Sequence, residues 1–273
     1  MMNIIRADVY RIVRGKALYI TLAVLLVYCV LTVGALHAFQ SGAINFGFTE
    51  EALEEVPNLA NMFEGPGVCS VTILNDAAAQ MENIVFFLLP VIIVVAGAIF
   101  SHNTVKNDLA WGISRTKLYF SKLILNSAIC VFMLLVYMGF MVIIAAIIGS
   151  FGGPAPAGHW VGLLQIYSAQ LVMLLAYVSF GVFLAFTTKR TAAVNGAFIA
   201  FIFVPLLLLT IITTINTDLQ WLLDFEMSTN LTRLARLPYL ETREIVRALG
   251  IGTFVLAAST IGGVALFKRA EIK

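Results

Sequence analysis

Phe100 to Leu123 reads FSHNTVKNDLAWGISRTKLYFSKL, a polar island between two apolar runs. Its cations Lys106, Arg115, Lys117 and Lys122 stand against a single acid, Asp108. Thr104 can cap a short helix through Leu109 and Trp111, and Gly112 can end that helix in a left-handed turn. Ser114 then stands where the next helix would be capped, ahead of the apolar run that begins at Leu123. The segment reads helix, stop, helix at a membrane surface. It is the part of the chain that a soluble partner could grip.

Outward from the island the chain is lipid-like. Hydrophobic residues are 60% of the 273, charged residues 12%, and mean hydropathy is +0.96. A soluble domain is nearer half apolar and a quarter charged. Six apolar spans are expected, at 17–39, 83–100, 123–148, 160–186, 191–215 and 248–267. About 20 residues at 1.5 Å each cross a ~30 Å hydrocarbon core. None of the six contains Asp, Glu, Lys or Arg. Residues 1–16 hold too many charges to span. At helical period Ile4, Ile5, Val9, Ile12 and Val13 share one face, and Arg6, Tyr10, Arg11 and Arg14 lie on the other. That pattern predicts an amphipathic helix at the interface. Residues 216–247 mix Trp221, Phe225, Leu231 and Leu234 with charges and predict short amphipathic helices in the outer leaflet, broken at Pro238. The fold class is all-α membrane protein, one domain over 1–273.

Loop charge sets the orientation. The N-terminus, the island, Lys189/Arg190 and the tail hold thirteen of the 17 Lys/Arg, against Asp8, Asp108 and Glu271. The other side holds Arg233, Arg236, Arg243 and Arg247, with the remaining twelve of 15 acids. Cations concentrate on the cytoplasmic side, so both termini and the island are expected there. The acidic outer stretch 40–82 is expected to present Glu51 to Glu55 on one solvated helix face.

Missing motifs narrow the chemistry. There is no GxxxxGK[ST], HExxH or GxSxG, so neither a phosphate-cradling loop nor an intramembrane protease or lipase is supported. His37, His102 and His159 sit at span ends, where interfacial placement explains them better than metal ligation. Cys29 and Cys130 read as buried thiols, and Cys69 lies alone in a polar loop. One short basic island does not suggest nucleic-acid binding. Gln165, Gln170, Asn195, Thr210, Thr213 and Thr214 are expected to bond between helices. Pro90 and Pro205 are expected to disturb the second and fifth spans. Asn230-Leu231-Thr232 is a glycosylation sequon by pattern.

The island resembles the first cytoplasmic loop of the type-two ATP-binding-cassette export permeases, above all those of Gram-positive bacteria. Many of them read F-S-x-G-T-x-K-N-x-L-x-x-G-x-S-R-x-x-x-Y-x-S-K. Phe100, Ser101, Thr104, Lys106, Asn107, Leu109, Gly112, Ser114, Arg115, Tyr119, Ser121 and Lys122 match, and Asn103 replaces the usual glycine. The resemblance implies a bacterial cell-membrane permease subunit of six spans, paired with a second permease, the same or homologous, and two copies of a separate ATPase. ATP and Mg would bind to the ATPase, with no cofactor in this chain and no activity of its own as an enzyme. In such systems the island forms the coupling helix. Thr104, Lys106, Asn107, Leu109, Ile113, Arg115 and Lys117 are then the expected ATPase contacts. Phe86 and Phe87 in the second span, with Asn195 and Thr210 in the fifth, are the expected substrate pathway. Relatives of this size include immunity and export permeases for bacteriocins, which points to a hydrophobic or amphipathic cargo such as an antimicrobial peptide.

Two other classes compete. An ion-driven secondary transporter normally needs ionisable groups inside its spans, and the predicted spans have none. A membrane sensor or immunity protein without transport would have no ATPase partner.

Overall fold

His159–Thr188, apolar on nearly every side, is the most buried of the spanning helices and the axis of the bundle. The computed structural model describes residues 2–41, 68–101, 104–152, 158–239 and 242–270, and their regular structure is helical. In chain order these are α1 (Met2–Arg14), α2 (Lys16–Gln40), α3 (Ile73–Ala79), α4 (Glu82–Ile92), a π turn (Ile93–Gly97) and α5 (Ala98–Ser101). There follow α6 (Thr104–Ala110), α7 (Arg115–Ile148), the axial α8 (His159–Thr188), α9 (Thr191–Ile215), α10 (Met227–Arg233) and α11 (Thr242–Arg269). Two 3-10 segments, Thr217–Phe225 and Leu234–Tyr239, flank α10. The acidic Glu51–Glu55 stretch lies outside the described residues.

Among the described residues five helices, α2, α7, α8, α9 and α11, are long and apolar enough to cross a membrane. A sixth crossing exists if α3 and Glu82–Gly97, bent by 69°, count as one. The expected second span, 83–100, coincides with α4, the π turn and α5, and the bend lies just before it, at Gln80 and Met81. Pro90 lacks an N–H and sits inside α4, and the π turn follows three residues later. At the 69° bend, where Ala77 and Ala78 accept from the Gln80 and Met81 N–H groups, carbonyls of α3 also find side-chain donors from across the bundle. Tyr137 donates to the Ala77 carbonyl (3.2 Å), Tyr167 to Leu74 (2.8 Å) and Gln170 to Ala78 (2.8 Å). Backbone that leaves the helix at membrane depth persists only where such partners replace water.

The expected third span, 123–148, lies within a longer helix. α7 begins at Arg115, and Lys122 is buried within it, 2.5 Å from Asp8 of α1. Asp8 also accepts from Arg11 at 3.2 Å, and Arg11 donates to the Val94 carbonyl of the π turn. α1 therefore does not lie with all its cations toward water. Ile12 and Asp8 face the bundle, while Val9 and Val13, expected on the buried face, are exposed.

The segment after α9 divides. Trp221 and Phe225 are exposed, but Met227, Leu231 and Leu234 belong to the main core. Glu226 caps α10 through both carboxylate oxygens, and Asp224 bridges Arg233 and Arg247. Asn230 is buried, its amide donating to the Asp224 and Glu226 carbonyls, so the sequon is a structural amide.

Candidate functional site

The island folds as its local signals direct. α6 ends at Ala110, Trp111 and Gly112 close the turn back onto Asn107 and Leu109, and Gly112 holds φ +76°. Glycine reaches that left-handed region without steric cost. Ser114 is extended and accepts from the Lys117 N–H, capping α7. The short helix begins at Thr104 itself rather than after it.

A wheel on α6 explains its seating. Val105 and Leu109, four apart, share one face; Val105 is buried and Leu109 is half-buried against the main core, as is Ile113. Lys106, Asn107, Ala110 and Trp111 lie on the exposed side. Trp111 is 86% exposed, the largest value among the exposed large hydrophobics described. It was absent from the expected contacts, although its position well away from Val105 and Leu109 on the wheel could have found it.

Both flanks of the island are anchored to the bundle. Phe100 stands edge-on to Phe186 at 5.3 Å and to Phe267 at 6.4 Å, and Tyr119 meets Phe186 at 4.9 Å. These rings join the ends of four elements, α5, α7, α8 and α11. The Tyr119 hydroxyl donates to the Ser259 carbonyl and occupies the space where a β-carbon at Gly263 would stand. Arg115 donates to the carbonyls of Phe267 (3.1 Å), Lys268 (2.7 Å) and Ala270 (2.7 Å), capping the C-terminal end of α11.

The expected contacts therefore separate. Lys106, Asn107 and Lys117 are exposed. Leu109 and Ile113 seat the island, and Arg115 ties it to α11. The expected pathway residues do not converge. Phe86 stacks on Phe203 of α9 at 5.5 Å, whereas Phe87 meets Tyr28 of α2 at 5.5 Å. Asn195 is half-buried and Thr210 exposed, some 22 Å apart along one helix by its rise. Thr210, Thr213 and Thr214 bond back to carbonyls of their own helix, not to neighbours. Gln170 does bond between helices, to Ala78 and Leu231, while Gln165 is exposed.

Apolar helices with an anchored polar hairpin at one end define a multi-pass membrane protein. The family model described as ABC-2 family transporter protein matches residues 2–271, and the chain belongs to that family. A search of the curated proteins finds no match. Membership makes the chain the permease component of an ABC exporter, working with an ATPase partner.

Proposed function

We propose that α6 and Trp111 form the face by which this permease is driven, seated on a separate ATPase in the cytoplasm. The observation that carries this reading is the contrast within one short segment: Trp111 is 86% exposed while Phe100, Arg115, Tyr119 and Lys122 around it are locked to the bundle. A partner that pushes on Trp111 moves a rigid body. The thirteen-to-four distribution of Lys and Arg favours a cytoplasmic position for this end. Two ATPase copies, binding ATP and Mg, and a second permease, the same or homologous, would complete the complex in a bacterial cell membrane. The cargo is hydrophobic or amphipathic, such as an antimicrobial peptide; 123–148, 160–186 and 191–215 offer no charged side chain.

An ion-driven alternative would need a free carrier group. Lys122, the charged residue buried in α7, is already held by Asp8 at 2.5 Å. The test replaces Trp111 with Asp. A buried interface Trp is typically worth about 2 kcal/mol or more, roughly thirtyfold in affinity. Co-purification of the ATPase and cargo-stimulated hydrolysis should both fall by about that factor, with unchanged melting of the permease alone. Unchanged co-purification and hydrolysis would overturn the reading.

A further inference from the structure

Between α7 and α11, at the end marked by Lys268 and Arg269, lies an open groove of about 440 Å³. Its walls are Phe120, Ile261, Val264 and Ala265, and its rim is Lys268 and Arg269. The one hydroxyl in the wall is taken, since Thr260 bonds to the Leu256 carbonyl (2.7 Å) and to Ser179 (2.9 Å). The groove is therefore apolar along its length and cationic at one end. From Thr260 to Lys268 it runs roughly 12 Å, most of one leaflet's half of a ~30 Å core.

We propose that this groove binds an anionic phospholipid, acyl chain along Phe120, Ile261 and Val264, phosphate at Lys268 and Arg269. Three features select that occupant. Both rim side chains are exposed, and neither forms an ion pair among the described residues. The carbonyls at the end of α11, which would otherwise offset the cations, already accept from Arg115. Lys117, one helical turn before Phe120 on α7, is exposed and keeps a third positive charge at this end of the helix pair. A second copy of this chain packed on the same groove would set Lys268 and Arg269 against their own kind, which charge opposes.

The experiment uses the full chain purified in detergent and native mass spectrometry with phosphatidylglycerol or phosphatidylcholine. Two cations near a membrane surface, at about 1 kcal/mol each, predict about a thirtyfold preference for phosphatidylglycerol. Lys268→Gln with Arg269→Gln should bring the two lipids to parity, and Val264→Trp, which fills the groove, should reduce retention of both. Arg6→Gln with Arg14→Gln removes the same charge from exposed sites on α1 and should leave the preference intact. Parity in the natural sequence, persistence of the preference after the Lys268/Arg269 change, or equal loss in the α1 pair each overturns the proposal. Displacement of the lipid by millimolar inorganic phosphate, or a change of oligomeric state with Val264→Trp, would assign the groove to another occupant. None of these readouts depends on the ATPase, so failure here leaves the driving role of Trp111 untouched.

Discussion

Lys122 Nζ lies 2.5 Å from Asp8 Oδ2, joining α1 to α7 across 114 positions of sequence, and both side chains are almost wholly withdrawn from the surface. The pair is unequal. Asp8 serves Lys122 and Arg11 together, so Asp8→Asn removes the carboxylate that faces a buried ammonium, whereas Lys122→Met leaves Asp8 with Arg11. Breaking a buried pair costs about 3–5 kcal/mol because one charge stays uncompensated. We expect Asp8→Asn to lower the melting temperature more than Lys122→Met does, and the double variant to recover part of the loss. Equal effects of the two single changes, with no recovery, would contradict this reading.

Arg115 should act on α11 before it acts on any partner. Its Nη1 reaches three carbonyls from the end of a planar guanidinium, a placement that the lysine ammonium on its different stem does not reproduce. Arg115→Lys should speed amide hydrogen exchange over the last turn of α11 while leaving the exchange of α8 unchanged. Exchange at Leu266 to Ala270 identical to that of the natural sequence would show the cap to be dispensable.

Gly263 should reject even a methyl group. The Tyr119 ring and hydroxyl fill the place of a β-carbon there. Gly263→Ala is expected to cost about 1–3 kcal/mol by overpacking. Tyr119→Leu in the same chain should return part of that stability, measured as melting of the purified protein. Additive losses in the double variant would mean the two sites are uncoupled.

Of the three cysteines, Cys69 alone should react readily, since Cys29 and Cys130 are buried. Burial pushes the Cys69 thiol up, but hydrogen bonds from the Thr72 hydroxyl and from the Thr72 and Val71 backbone outweigh it and leave it below its ordinary value. The thiolate is the reactive form, so alkylation should reach its plateau at lower pH than for a model thiol. If the basic end is cytoplasmic, a membrane-impermeant maleimide should label Cys69 from outside intact cells. Labelling only after the membrane is breached would invert the topology.

What was legible in the sequence is what local chemistry decides. Gly112 and Ser114 place the stop and the next start of the island because a left-handed turn and an extended cap are properties of neighbouring residues. The bend between α3 and α4 was invisible: it contains no Gly or Pro, and its carbonyls are held by Tyr137, Tyr167 and Gln170, 60 to 93 positions away. The burial of Lys122 was hidden for the same reason, its partner being in α1. The threonines of α9 misled because a hydroxyl in an apolar helix finds its own i−4 carbonyl before it finds a neighbour. Within the island motif, matching residues looked alike in sequence, yet Arg115, Tyr119 and Lys122 turn inward while Lys106 and Asn107 turn out.

α7 runs unbroken for 34 residues, about 51 Å at helical rise. Its base is gripped by Asp8 and, through Arg115, by α11. Just past its far end Ser150 exchanges backbone hydrogen bonds with Val68 and Ser70 ahead of α3. It is thus a lever arm with attachments at both ends. A tilt of about 10° imposed at the island would sweep the opposite tip through roughly 9 Å. Motion applied at the island end would thereby be carried, with no intervening hinge in this helix, to the broken crossing at the other end.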